Sequence, residues 1–311
     1  MARSTSQGDT GGSLVEAIER CLISARAGGL STRTLSAYRY SANAFVAFLR
    51  SEDAFQPTVA HFTLELAEEW IESMLDDGRT ARETIRSHVR RLRALSGRMY
   101  KRGLIATHAL DGLITPKRVR TEVYVPSQRT VISMLSVCDH STKSGQLDRA
   151  LVSCIADCAA RRSELVAADV RDVDWDLGVI RIRQPAKDGL ARWAPLGRTA
   201  REDLRRYVGH RSSGPLFLDR RFNRLSGKAC LHRVVDTSVR AGADRRIGPQ
   251  LLRRFAATQM TACATPEPLL YRIMGWSPDP RKVAWPAYVD LGPTEIARAF
   301  ATISPVDQLV F

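Results

Sequence analysis

Apolar residues recur at three- and four-residue spacing through most of this chain, the period of helices that bury one face. Leu14, Ile18, Leu22 and Ile23 keep that period until Gly28-Gly29 interrupts it, and Ser31 then stands as N-cap to a second helix over 32–49. A third helical pattern covers 63–75 and ends near Gly78. Thr80 is placed to cap a fourth, which turns Ile85, Val89, Leu92, Leu95 and Met99 to one side. Four helices therefore make up the first part of the chain.

The period fails between 114 and 126, where Thr115-Pro116-Lys117-Arg118-Val119-Arg120 leads to a short Val123-Tyr124-Val125 run closed by Pro126. A segment of this kind reads as a linker. Beyond it, helices over 127–137 and 147–160 precede an apolar, β-branched strand at 179–182. Lys187-Asp188-Gly189 separates that strand from a second apolar stretch at 193–196. Asp-Gly is a favoured hairpin turn pair, so a β-hairpin displays Lys187 near its tip. Helical patterns return after Pro195, and the last of them, 293–301, carries Ile296 and Phe300 on its apolar side. The expected fold is mainly α with a small β-sheet. Its expected divisions are a flexible start at 1–12, a helical domain at 13–113, a linker at 114–126 and an α+β domain at 127–311.

Composition adds the partner. The 311 residues suit about two domains, and 47 Lys and Arg against 33 Asp and Glu give a formal charge of +14. An excess of this size favours a polyanion, although solubility alone would also account for a charged surface. The fourth helix sets Arg82, Arg86, Arg90, Arg93 and Lys101 among its polar positions, where they read as a solvated face or as candidate contacts to a polyanion such as DNA. No stretch is long and apolar enough to span a membrane, and the polar, Gly/Ser-rich start is unlike a signal peptide. Cys21, Cys138, Cys154, Cys158, Cys230 and Cys263 form no C-x-x-C pair, and no histidine follows His232. They read as small buried hydrophobes of a reducing compartment, with no metal site. The expected location is the cytoplasm, in association with the nucleoid, or the host cytoplasm if the chain is phage-encoded.

Breaking a phosphodiester without a metal requires cations at the non-bridging oxygens, a nucleophile in line and an acid for the leaving oxygen. The second domain contains candidates for all three. In Arg161-Arg162-Ser163-Glu164-Leu165, Arg161 and Glu164 stand three apart, and on a helix they would project from one surface, where Glu164 can steer Arg161. Gln250-Leu251-Leu252-Arg253-Arg254-Phe255-Ala256-Ala257-Thr258 follows a Gly248-Pro249 helix start. Ile273-Met274-Gly275-Trp276-Ser277 comes next, and Tyr288 is the only tyrosine after Trp276.

In this order the segments resemble the boxes of the tyrosine recombinase, or phage integrase, family. The resemblance implies that Arg161 and Arg253 contact the scissile phosphate, with Arg254 as a further DNA contact. It implies that Lys187, eight residues before Pro195-Leu196, is the general acid, and that Tyr288 is the nucleophile. Gln250 stands where the family has histidine, so it can donate an amide hydrogen bond but cannot transfer a proton at neutral pH. Trp276 replaces another histidine and keeps an N–H donor. Tyr288 follows Trp276 by twelve residues, where nine is usual.

The family likeness further implies a helical, SAM-like core-binding domain and a catalytic domain that together clamp duplex core sites, without an arm-binding domain. Four protomers would assemble on two DNA sites from a free monomer or weak oligomer. The C-terminal helix would dock on a neighbour, and an accessory bending or directionality protein could join. No cofactor is implied. Two other activities fit the same residues: a catalytically degenerate DNA-binding protein, and a type IB topoisomerase-like strand transferase.

Overall fold

A computed structural model describes residues 12–52, 56–119, 122–183, 192–276 and 291–310 of the chain. They divide into two compact units, Met1–Thr121 and Glu122–Phe311.

The first unit contains α1 (Leu14–Ala27), α2 (Thr32–Glu52), α3 (Leu64–Asp77) and α4 (Arg82–Lys101). Local chemistry sets most of the boundaries. Ser31 Oγ accepts from Thr34 N at 3.2 Å, Thr63 Oγ1 accepts from Leu66 N at 3.3 Å, and Gly78 ends α3 in the left-handed region. Thr80 does not cap α4. Ala81 takes that position and offers no side-chain acceptor, so the first turn relies on Glu83 to complement its exposed N–H groups. The apolar positions expected on α4 are buried, and they close a core with Phe45, whose ring packs on Phe62 and Trp70.

The second unit begins with α5 (Gln128–Ser136), α6 (Lys143–Cys158) and α7 (Arg162–Ala167). Strands β1 (Val173–Asp174), β2 (Val179–Ile182) and β3 (Arg192–Pro195) follow as one antiparallel sheet in that order. Ile180 faces Ala194 and Ile182 faces Arg192. The remaining helices are α8 (Arg198–Val208), α9 (Gly227–Arg240), α10 (Pro249–Ala262), α11 (Glu267–Met274) and α12 (Pro293–Phe300). The fold is thus mainly helical with a small sheet. The two-residue strand β1 is too short to register as a period. From residue 150 to 158 every position of α6 is buried, because α8, α9 and α10 cover it on several sides. Cys154 and Cys158 lie in that core as free thiols.

Ile296 and Phe300 of α12 pack on Met260, Leu269 and Ile273 of the same chain. The chain then returns to the end of α6. There the buried Asp157 accepts from Ser304 Oγ and Gly197 N at 2.6 Å each and from Val306 N at 3.2 Å. Asp307 accepts from Arg198 N and Thr199 N at 2.6 and 2.8 Å, capping α8 from a distant point in sequence. Burial pushes the Asp157 carboxyl up to about 7 despite its three donors. Among the described residues no helix is long and apolar enough to cross a membrane.

Candidate active site

The site is built where α6 stops. Ala159 takes a left-handed conformation, φ 52°, which ends the helix and turns the chain so that Arg161 becomes the N-cap residue of α7. Arg161 therefore precedes its helix and does not share a helical surface with Glu164. The three-residue spacing serves a capping box: Glu164 Oε2 accepts from Arg161 N at 2.8 Å, and Oε1 accepts from Arg161 Nη1 at 2.9 Å. The expected steering of Arg161 by Glu164 arises through this contact.

A third residue, absent from the sequence reading, completes the arrangement. Arg192 on β3 donates from Nη2 to Glu164 Oε2 at 2.7 Å and from Nη1 to the Ile273 carbonyl at 2.5 Å. The Glu164 side chain is fully buried between the two arginines. Burial by itself would raise its pKa. The charge of Arg192, followed by the hydrogen bonds and charge of Arg161, outweighs that effect and holds the carboxyl below its usual range.

Arg253 comes from α10, which starts at Gly248 with Pro249 in its first turn, as expected. Its guanidinium donates to the carbonyls of Ala159 and Met274. Burial, reinforced by the nearby charges of Arg161 and Arg192, lowers Arg253 to about 10, so it remains charged at neutral pH. Arg161 Nη2 in turn donates to the Gly275 carbonyl at 3.1 Å.

Three successive carbonyls at the C-terminus of α11 thus receive three different arginines: Ile273 takes Arg192, Met274 takes Arg253 and Gly275 takes Arg161. The last carbonyls of a helix lack intrahelical partners and carry the negative end of its dipole. They are a natural anchor for cations that would otherwise repel one another.

Exposure separates the roles of these arginines. The Arg161 side chain is 32% exposed, and among the described residues only two of its five N–H donors are engaged. Arg253 is 4% exposed. Gln250 and Arg254 are exposed on α10, in its first and second turns. Trp276 is 42% exposed and meets the Tyr271 ring edge-on at 5.7 Å. Lys187 and Tyr288 lie outside the described residues.

In the first unit Arg82, Arg90 and Lys101 are exposed on α4. Arg86 is half-buried, pairs with Glu83 at 3.1 Å and donates to the Pro116 carbonyl. Arg93 faces Asp111 at 3.9 Å. Among the described residues no group of three His, Cys, Asp or Glu side chains could hold a metal ion. What the site can do is bind an anion: fixed positive charge, already oriented, with one arginine open to solvent.

Arg192 escaped the sequence reading because a charged residue at the start of an apolar strand looks like a solvated edge position. In the sheet it lies opposite Ile182, where β2 ends and β3 begins.

Residues 127–283, just over half of the chain, match a model of the phage integrase family. The chain is similar to tyrosine recombinase XerC of Chromobacterium violaceum, 29% identical over 255 residues that cover 79% of this chain and 81% of that one. It is 26% identical over 248 residues to tyrosine recombinase XerC of Mycobacterium tuberculosis, covering 75% and 80%. Its fold is similar to that of a lambda integrase tetramer bound to a Holliday junction, with a TM-score of 0.70 at 16% identity over 89% of this chain and 80% of that one. The Tn1549 transposon integrase in complex with a circular intermediate DNA gives 0.64 at 16%, covering 93% and 98%.

Proposed function

The chain belongs to the phage integrase family and is a site-specific tyrosine recombinase, and on that premise we propose that Tyr288 cuts duplex DNA at a phosphate gripped by Arg161 and Arg253. The Tyr288 hydroxyl loses its proton to solvent as its oxygen attacks phosphorus, the bond to the 5′ oxygen breaks, and Lys187 gives that oxygen a proton and regains one from solvent. A 3′-phosphotyrosine and a free 5′ hydroxyl result. The hydroxyl of a partner strand then reverses the step and releases Tyr288, so the bond energy of the cut is retained through the exchange.

The observation that carries this reading is the convergence of Arg161 and Arg253 on the end of α11, the element that leads to Trp276 and then Tyr288. A tyrosine has a reference pKa of about 10 and is a poor nucleophile at neutral pH unless cations lie beside it. The same guanidinium charges offset the charge that builds on the non-bridging oxygens. Gln250 and Trp276 add an amide and an indole N–H to those oxygens. Glu164 acts through Arg161.

The substrate is double-stranded DNA at core sites. Four protomers act on two such sites, as in the lambda integrase tetramer on its Holliday junction, and the helical first unit supplies further grip through the exposed cations of α4. Accessory bending or directionality proteins would set the outcome, and on this reading the protein works on cytoplasmic DNA. The family match favours neither a non-catalytic DNA-binding protein nor a topoisomerase-like transferase.

The test is trapping. Wild type and Tyr288→Phe are incubated with nicked suicide substrates carrying candidate core sites from the protein's own genetic neighbourhood. A denaturation-resistant adduct is expected with wild type and not with Tyr288→Phe. Specific binding without an adduct would overturn the reading.

A further inference from the structure

We propose that Arg192 is a positioning residue for strand cleavage, holding Glu164 and the end of α11 so that Arg161 presents its open donors to the phosphate. This rests on the proposed role of Arg161 and extends it to a residue that does not itself meet the DNA.

The geometry leaves Arg192 little alternative use. Its side chain is 5% exposed, so it offers nothing to a ligand in solution. One terminal nitrogen is spent on Glu164 and the other on the Ile273 carbonyl, which ties α7, β3 and α11 at one point. Its backbone is fixed by pairing with Ile182. Gly275 lies against it at φ 57°, where an added Cβ would come 2.5 Å from Arg192 Nε and 2.8 Å from its Cδ. The glycine thus gives the arginine room while its own carbonyl receives Arg161.

A buried arginine is an expensive way to fill space, since an apolar side chain of similar volume packs as well without desolvation. What an apolar residue cannot do is keep Glu164 ionised and oriented. The charged and titratable groups near Glu164 are Arg161 at the start of α7, Arg192 on β3, Arg253 on α10 and the Cys158 thiol at the end of α6, itself pushed up to about 12 by burial. Without Arg192, Glu164 keeps its buried setting and loses the largest charge that opposes it. Once protonated, Glu164 no longer fixes Arg161 as an ion pair.

The experiment compares the full-length wild type with Arg192→Met, Arg192→Lys, Glu164→Gln and Arg192→Met combined with Glu164→Gln. Carboxyl-¹³C glutamate labelling gives each free protein a titration curve, with the Glu164 resonance assigned by its loss in Glu164→Gln. In Arg192→Met the Glu164 midpoint should rise by about 1–3 pH units, the range over which a neighbouring cation acts, and in Arg192→Lys by less.

Adduct formation on the suicide substrate is then followed against pH. Arg192→Met should gain an acid limb that falls about tenfold per pH unit below the new midpoint, and adding Glu164→Gln should remove that limb. A residue that merely packed would lower the rate without changing the profile. An unmoved Glu164 titration in folded Arg192→Met, or an adduct profile parallel to wild type, overturns the proposal. If Arg192→Met does not fold, Arg192→Lys is judged by the same two readouts. If wild type forms no adduct the proposed function fails, and the titration of the free proteins still decides whether Arg192 governs Glu164.

Discussion

Arg161 and Arg253 hold the same charge in opposite surroundings, and that difference is testable. Arg253 satisfies two backbone carbonyls from a buried position, whereas Arg161 is one-third exposed and leaves most of its donors open. Replacing either by alanine should slow adduct formation by ~10²-fold or more, the scale of a lost preorganised donor. Arg253→Ala should also lower stability by about 1–3 kcal/mol, because the Ala159 and Met274 carbonyls are then buried without partners, and by more than Arg161→Ala, after which Arg192 still pairs with Glu164. Urea unfolding of the two variants checks this, and equal stability losses would contradict the division of roles. At this scale the sequence was readable wherever a residue stands inside a motif, as Arg161 and Arg253 do. Arg192 was not readable, since a buried cation is explained by its partners, and Glu164 lies 28 residues away across the sheet.

Among the elements, amphipathic helices were legible because each buries a stripe, and α10 was legible down to its Pro249 start. Arg161 was misread as part of a helix surface because spacing alone does not separate a capping residue from a helical one. The return of residues 304–307 to α6 and α8 was invisible, since it depends on two aspartates finding donors from remote segments. That contact makes stability depend on pH. The carboxyl of Asp157 lies at about 7 in the fold against a reference of 3.8, so between those values the folded chain binds more protons than the unfolded one. Its contribution is fully present at the acid end of that window and is lost as pH rises toward and past 7. Glu164 runs the other way: its lowered pKa contributes stability above its unfolded value, and that contribution fades as pH falls through the folded one. Thermal midpoints of wild type minus Asp157→Asn should therefore decline from about pH 4 to about pH 7. A flat difference would mean that Asp157 is not the titrating group.

For the whole molecule, the +14 charge pointed to a polyanion, and the break in periodicity near Pro116 pointed to two units, while neither could say which cations are free to meet DNA. Arg82, Arg90 and Lys101 are exposed on α4, Arg90 sharing Glu83 with Arg86, whereas the half-buried Arg86 is also tied to the Pro116 carbonyl. Alanine at the three exposed positions should reduce the slope of log affinity against log salt by about 3, near 0.9 for each phosphate contact released. Fluorescence anisotropy on a core-site duplex measures it, and an unchanged slope would turn α4 away from DNA. The docking of residues 304–307 also sets a timetable for the newborn protein. At roughly 5–20 residues per second, the 147 residues separating Asp157 from Ser304 take on the order of ten seconds to synthesise. Throughout that interval the ribosome-bound chain has α6 but lacks the Ser304 and Val306 donors to Asp157, and Gly197 alone among the three is made early. The second unit of this recombinase can thus be completed only after that whole stretch has emerged.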